Sequence, residues 1–365
     1  VSAATTARPR FRVALHQRLG IRMARLKRWE FWPSWAFYPP IVAYILARSA
    51  GARPFMAVTA ANPCLKASGI VGETKEDALA PLQRNAPEYV AAFTMLRADW
   101  PQARRLEALR AFVVGQGGYP LVLKPDIGQR GRGVAVIRSE AEAADYLAAA
   151  QDDVVAQRHV GGVEYGVFVY RDPKTTRVEI LSIVNKRFPT VTGDGRRPLG
   201  TLILADARAR LIAPGLVRQL HARLDEIPAA GEVVTLVEIG AHCRGSLFLD
   251  ARHLASEPLR LTMTAILDAV PGYHFGRLDL RCPDQASLVA GRGIQVLELN
   301  GVTAESAHIY HPDTPLLDGW RAMIRQWRIA IEIGEANAAK GAPTLGLIAL
   351  LKLWRADVAR GARWF

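Results

Sequence analysis

Apolar and polar positions follow two periods along the chain. Short apolar or β-branched runs bounded by turn residues predict strands at 91–96 (AAFTML), 119–124 (YPLVLK), 134–137 (VAVI), 154–157 (VVAQ) and 167–170 (VFVY). Between them, Leu106, Leu109 and Phe112 recur at helical spacing, a helix spans 75–82, and another opens near Ser139 and Glu140. Small residues, glycines and the Asn62-Pro63 pair predict a short strand-and-loop region over 55–72. Alternation is sharpest at 276–281 (GRLDLR) and 294–300 (IQVLELN). Side chains change face at each strand residue, so Arg277, Asp279 and Arg281 share one face, Leu278 and Leu280 the other, and Glu298 points with Asn300. Strands and helices mixed in this way predict an α+β fold.

Length and charge refine that picture. A chain of 365 residues has room for two or three lobes and a cleft. The segmentation we read is 1–88, a basic start and a compact N-terminal domain; 89–176, a first α+β lobe; 177–334, a second lobe; and 335–365, a basic tail. No internal repeat or low-complexity block interrupts it. Lys and Arg number 47 against 34 Asp and Glu, which favours polyanionic partners. Much of that excess is terminal, since Arg8, Arg10, Arg12, Arg18, Arg22, Arg25, Lys27 and Arg28 precede the first acid, Glu30. An acid-free, Arg-rich start of this kind resembles an organellar transit peptide and fits a secretory signal poorly. The aromatic run 31–47 is broken by Pro39 and Pro40 and is too short for a membrane span, which needs about 20 apolar residues. Cys64, Cys243 and Cys282 lack zinc-site spacing and read as reduced, buried thiols of a cytoplasmic protein.

Three segments carry candidate chemistry. If 276–281 and 294–300 are neighbours, Asp279, Glu298 and Asn300 bring three oxygen donors together beside Arg277, a set that suits one or two Mg²⁺ ions bridging phosphates. The same residues would equally serve as solvated charges on a half-buried sheet. In 122–134 (VLKPDIGQRGRGV), a strand ends on Lys124 and a loop follows with Gly128, Arg130, Gly131 and Gly133, whose amides and cation can wrap phosphates. It is not a Walker A sequence, and a plain hairpin has the same composition. In 155–165 (VAQRHVGGVEY), Gln157 and Glu164 flank a strand-to-loop hinge where main-chain groups can read an adenine edge and a carboxylate can take ribose hydroxyls.

Taken in this order, the segments resemble the ATP-grasp superfamily, and specifically D-alanine:D-alanine ligase, across roughly 75–306. The resemblance implies two α+β lobes clasping ATP behind a short pre-grasp α/β domain. It gives Lys124 to the α- and β-phosphates, Lys75 to an earlier phosphate contact, Gln157, His159 and Val160 to the adenine, and Glu164 to the ribose. Gln157 stands where the family often has Glu, so its amide oxygen would meet the adenine amine. Asp279, Glu298 and Asn300 match the family's metal ligands, and Arg277 would stabilise the acylphosphate and the tetrahedral oxyanion. Residues 185–200 (NKRFPTVTGDGRRPLG) are similar to the mobile loop of cyanophycin synthetase and the ATP-grasp glutathione synthetases, so Lys186, Arg187, Arg196 and Arg197 would close over the triphosphate. A charged surface hairpin is the alternative.

The implied activity is ligation: a substrate carboxylate is activated as an acylphosphate, and an amine or thiol displaces phosphate. A phosphotransferase, or a catalytically reduced nucleotide-binding protein at an anionic membrane surface, is the alternative. His242, Arg244, Thr303 and Ser306 are candidate contacts to a small carboxylate or amine substrate, against roles in turns and caps. In the tail, Leu347, Leu350, Leu351, Trp354 and Val358 fall on one helical face with Lys352, Arg355, Arg360 and Arg363 around it. That pattern fits a peripheral helix on the inner membrane face, with a lipid-linked substrate, or packing on the protein's own body or a second copy. No nucleic-acid motif is visible.

Overall fold

The computed structural model describes residues 11, 13–52, 54–128, 131–238, 240 and 245–361. Arg130, His242, Cys243 and Arg244 therefore lie outside the described residues. The chain divides into two compact units. One combines residues 1–37 with 187–247, the other 38–186 with 248–365.

The larger unit is built on two sheets. The first contains β1 (Phe93–Leu96), β2 (Leu121–Pro125), β3 (Ala135–Ile137) and β4 (Val154–Arg158), in the order β1-β4-β2-β3 with every pairing antiparallel. Helices Gln102–Gly115 and Glu140–Ala149 cover one face through Leu109, Ala143 and Leu147, which close on Leu121, Leu123, Val154 and Ala156. Ser139 opens the second helix by accepting from the Glu142 amide, and Glu140 and Glu142 place negative charge in its first turn. The opposite face of this small sheet carries Lys124, Val155 and Gln157.

The second sheet uses β5 (Val163–Arg171), β6 (Val178–Arg187), β9 (Leu247–Asp250), β10 (Phe275–Cys282) and β11 (Gln295–Asn300), ordered β11-β10-β5-β6-β9. Its alternation decides everything that follows. Val167, Val169, Leu278 and Leu280 point into a core closed by Ala78, Leu79 and Leu82 of helix Lys75–Asn85 and by Leu259, Met263 and Ile266 of helix Glu257–Asp268. The other face carries Glu164, Gly166, Arg277, Asp279 and Arg281, and farther along it Phe168 and Phe275, whose rings meet edge to face at 5.0 Å. Those two rings join Ala57, Val58, Ile329 and Ile333 in a separate cluster on the long helix Leu316–Ala339.

Two local expectations are corrected. Residues 55–72 hold 3-10 turns at Ala57–Ala60 and Lys66–Gly69, and among the described residues no strand precedes β1. The small side chains serve close packing instead, since a Cβ on Gly334 would come within 2.1 Å of the Ala57 carbonyl oxygen. Pro39 and Pro40 do not break the aromatic run but start helix Pro39–Ala50, where a missing amide hydrogen costs nothing.

The smaller unit pairs β7 (Thr190–Thr192) with β8 (Val233–Thr235) and packs helix Leu15–Leu26 with helices Leu199–Ala205 and Ala209–Gln219. Ile21 is buried there with Leu199, Leu202, Ile203 and Leu216. Buried Glu30 accepts from Arg208 at 2.8 Å. The basic start of the chain is thus part of a folded core from Leu15 onward.

Among the described residues, no helix is long and apolar enough to cross a membrane. Cys64 and Cys282 are free, and burial pushes their thiols up to about 12 and about 11.

Candidate nucleotide and metal site

Three strands set one row of charges. In the β5/β10 ladder Glu164 lies opposite Arg281 and Gly166 opposite Asp279, and in the β5/β6 ladder Glu164 lies opposite Lys186. Lys186 Nζ lies 2.9 Å from Asp279 Oδ1 and 3.2 Å from Glu164 Oε1, with its own side chain only 3% exposed. Glu164 Oε2 accepts from Arg281 at 3.0 Å, and Arg277 Nε donates to Asp279 Oδ1 at 2.8 Å. A buried cation or anion alone would cost several kcal/mol, so this alternation of sign is what lets the row exist inside the sheet. Burial raises the Asp279 carboxyl, but Arg277 and Lys186 outweigh it and hold the group below the usual carboxylate range. Gly166 makes the space: a Cβ there would stand 2.9 Å from Val184 Cγ1, 3.1 Å from Arg277 Cδ and 3.2 Å from Asp279 Oδ1.

β11 completes the row. Arg277 lies opposite Asn300 and Asp279 opposite Glu298, but Leu280 then lies opposite Val296, so Leu297 is an extra residue in the ladder. Its carbonyl is left to other donors. Lys124 Nζ donates to it at 2.9 Å and Gln157 Nε2 at 3.3 Å, while Gln157 Oε1 accepts from Lys124 at 2.8 Å. These bonds tie the charged face of the small sheet to the last strand of the large one. Burial lowers the Lys124 ammonium to about 8 despite nearby Glu298.

Helix Lys75–Asn85 brings a second lysine. Thr74 caps it by accepting from the Asp77 amide, and Lys75 Nζ donates to the carbonyls of Asp126 at 3.1 Å and Gly128 at 3.3 Å. It also lies 3.8 Å from Glu298 Oε1. Gly131 and Gly133 follow at φ +70° and +68°, left-handed conformations that glycine adopts without strain. Lys75, Lys124, Lys186, Arg277, Asp279, Glu298 and Asn300 therefore belong to one assembly.

Other candidates stand differently. Lys186 is fixed in β6 and is not part of a loop, because its two carboxylate partners hold it in the sheet. Arg196 and Arg197 belong to the smaller unit, where their amides donate to Asp194 Oδ1 at 2.9 and 2.8 Å. The Gln157 amide oxygen accepts from Lys124 at 2.8 Å, and the side chain is buried. The Val160 carbonyl accepts from Arg281 at 2.6 Å, and His159 is half-buried beside it. Thr303 donates to the Gly69 carbonyl at 3.0 Å, a contact between segments distant in sequence, whereas the buried Ser306 hydroxyl has no partner.

The charge row also includes groups not expected from sequence. Glu73 accepts from the Gly301 amide at 3.2 Å, and its other oxygen is buried without a partner; burial pushes the carboxyl up to about 8. Glu305 accepts from the hydroxyls of Tyr38 and Tyr310 and is raised to about 6 by burial. Neither residue sits in an alternating run, so no periodic signal marks it.

Among the described residues, no group of three or more His, Cys, Asp or Glu is placed to hold a metal ion. The set here is two carboxylates and an amide. All are oxygen donors on one face; Asp279 is buried, while Glu298, its side chain 32% exposed, and Asn300 are half-buried. Mg²⁺ habitually binds one or two carboxylates and takes its remaining ligands from phosphate and water, so the donor chemistry fits that ion.

No family model matches the chain, and no curated protein matches it. Among solved structures it is similar to a bifunctional glutathione synthetase from Pasteurella multocida (18% identity over 68% of this chain, TM-score 0.36). This chain spans only 35% of that protein's length. It is also similar to D-alanine--D-alanine ligase from Bacillus anthracis complexed with ATP (15% identity, 72% of this chain and 65% of that one, TM-score 0.37). A further similar structure is an ATP-grasp ligase complexed with a minimal precursor (16% identity, 69% of this chain and 60% of that one, TM-score 0.36).

Proposed function

We propose that this protein is an ATP-grasp ligase that activates a small-molecule carboxylate as an acylphosphate for attack by an amine or thiol. The observation that carries the reading is the meeting of two lysines, Lys75 and Lys124, with Glu298 and its neighbours on β10 and β11. Two ammonium groups beside a pair of carboxylates and an amide match what a nucleoside triphosphate with its cation presents.

In this reading Lys124 and Lys75 bind phosphate oxygens, and both already contact backbone carbonyls that hold their ammonium groups in place. Asp279, Glu298 and Asn300 would hold Mg²⁺, which neutralises charge on the transferring phosphoryl. Arg277, fixed by Asp279 and by the Glu305 carbonyl at 3.3 Å, stabilises negative charge on the activated carboxyl oxygen. Glu164 is engaged by Lys186 and Arg281, so in binding ribose it shares its oxygens with them. The work is positioning and electrostatics, and no protein nucleophile is needed.

Hydroxylamine trapping tests it. Candidate amino acids and small peptides are incubated with ATP, Mg²⁺ and hydroxylamine. A hydroxamate formed by the native protein and lost in Arg277→Ala supports an acylphosphate route. ADP formation with a stable phosphorylated product and no hydroxamate would replace ligation by phosphotransfer.

A further inference from the structure

Helix Leu347–Gly361 presents an apolar stripe to solvent. Leu347, Leu351, Trp354 and Val358 fall at spacings of 4, 3 and 4 residues, which places them along one side for about 16 Å at a rise of 1.5 Å per residue. All four are exposed, Trp354 to 53% and Leu351 to 47%, while Leu350 at the edge of this face and Leu353 and Asp357, about a quarter turn round, are half-buried. A helix placed only to cover the protein's own core would turn the opposite way. Lys352 and Arg355 are exposed on the same helix.

The smaller unit repeats the arrangement independently. Helix Leu15–Leu26 buries Ile21 but exposes Leu15, Leu19, Met23 and Leu26 along one face, with Arg18, Arg22 and Lys27 also exposed. Its first turn contains no acidic residue. Solvent is a poor partner for such stripes, and scattered exposed leucines would not line up at helical spacing on two helices.

We propose that each of these faces, by itself, binds an anionic lipid surface, its helix lying in the interface with the apolar stripe among the acyl chains. Charge selects this occupant. Basic residues accompany each stripe, so a second copy applied to the same face would set like charges against one another, whereas anionic headgroups complement them. Lys and Arg stems can lie along the apolar boundary with their charged ends at the headgroups, and tryptophan favours that depth.

The test is co-sedimentation of the full chain with vesicles of phosphatidylcholine alone and of phosphatidylcholine mixed with phosphatidylglycerol. The native protein is expected to pellet with the mixed vesicles and to be released by salt. Leu351→Glu combined with Trp354→Glu, and separately Leu19→Glu combined with Met23→Glu, should each weaken partitioning by roughly tenfold or more. Val114→Glu alters another exposed apolar residue, 80% exposed on helix Gln102–Gly115, and should bind like the native protein. Circular dichroism confirms that each variant folds. Failure of the native chain to bind mixed vesicles overturns the proposal, as does equal loss in Val114→Glu. Light scattering that shows a dimer dissolved by the double substitutions, without lipid binding, would assign the faces to a second copy instead.

Discussion

Lys186 Nζ lies 2.9 Å from Asp279 Oδ1, and each buried group partly compensates the charge of the other. Asp279 also neutralises Arg277, so one carboxylate serves a cation on its own strand and another on β6, across the intervening β5. The resulting row is both the candidate chemical centre and a stability constraint.

Asp279→Ala is therefore expected to destabilise the larger unit by about 3–5 kcal/mol, because it leaves Lys186 and Arg277 short of a buried partner. Glu298→Ala should leave the melting temperature nearly unchanged, since that side chain is partly exposed. Both should abolish Mg²⁺-dependent ATP turnover. Thermal melts beside turnover assays separate the two effects, and equal melting temperatures would sink the account of Asp279.

Lys124 predicts a pH dependence. Its folded value, about 8, lies below the ordinary lysine value, so the ammonium is lost as pH rises through about 8. ATP affinity should fall between pH 7 and pH 9, and Lys124→Met should be weak throughout with a flatter profile. For stability the sign is opposite. The unfolded chain holds this proton up to about pH 10.4, so between the two values the folded state gains relative stability as pH rises. Calorimetric titration with ATP at several pH values, beside denaturant melts, checks both directions.

Glu73 behaves as the mirror case. Its folded value of about 8 lies above the ordinary glutamate value, so the neutral carboxyl is favoured inside and the fold loses stability as pH rises from the acidic range to about 8. Glu73→Gln keeps the shape without the charge. At pH 9 it should be more stable than the native chain by roughly 1–3 kcal/mol, the scale of an unpaired buried polar group. A lower melting temperature for the variant at that pH would show that Glu73 has a partner when charged.

Gly166→Ala places a methyl group 2.9 Å from Val184 and within 3.2 Å of both Arg277 and Asp279. Overpacking of this kind costs about 1–3 kcal/mol. The larger expected effect is on turnover, through displacement of Arg277, with ATP affinity changing less. A variant that melts lower yet turns over at the native rate would refute the positioning role.

Much of this site was legible in the chain because strand alternation is a local property. GRLDLR and the Glu-Leu-Asn end of β11 fix which residues share a face without knowledge of the partner strand. The glycine-rich segment after Lys124 was readable for a similar reason, since Gly131 and Gly133 meet a local conformational demand. Pairing was not legible. That Lys186 belongs to β6 beside Glu164, that residues 187–247 join the N-terminal helices, and that Gln157 is bound by Lys124 all depend on contacts distant in sequence. Glu73 and Glu305 depend on burial alone, which a single acidic letter does not reveal.

Leu297 is a position defined by count more than by identity. Its carbonyl, not its side chain, receives Lys124 and Gln157, so many residues other than proline can stand there. Its removal would close the ladder into a regular one, with Val296 still opposite Leu280 and Glu298 opposite Asp279, but the donors from the small sheet would lose their acceptor. Substitutions at this point should be tolerated where a one-residue deletion is not, so the spacing from Val296 to Glu298 is itself part of what the gene must preserve.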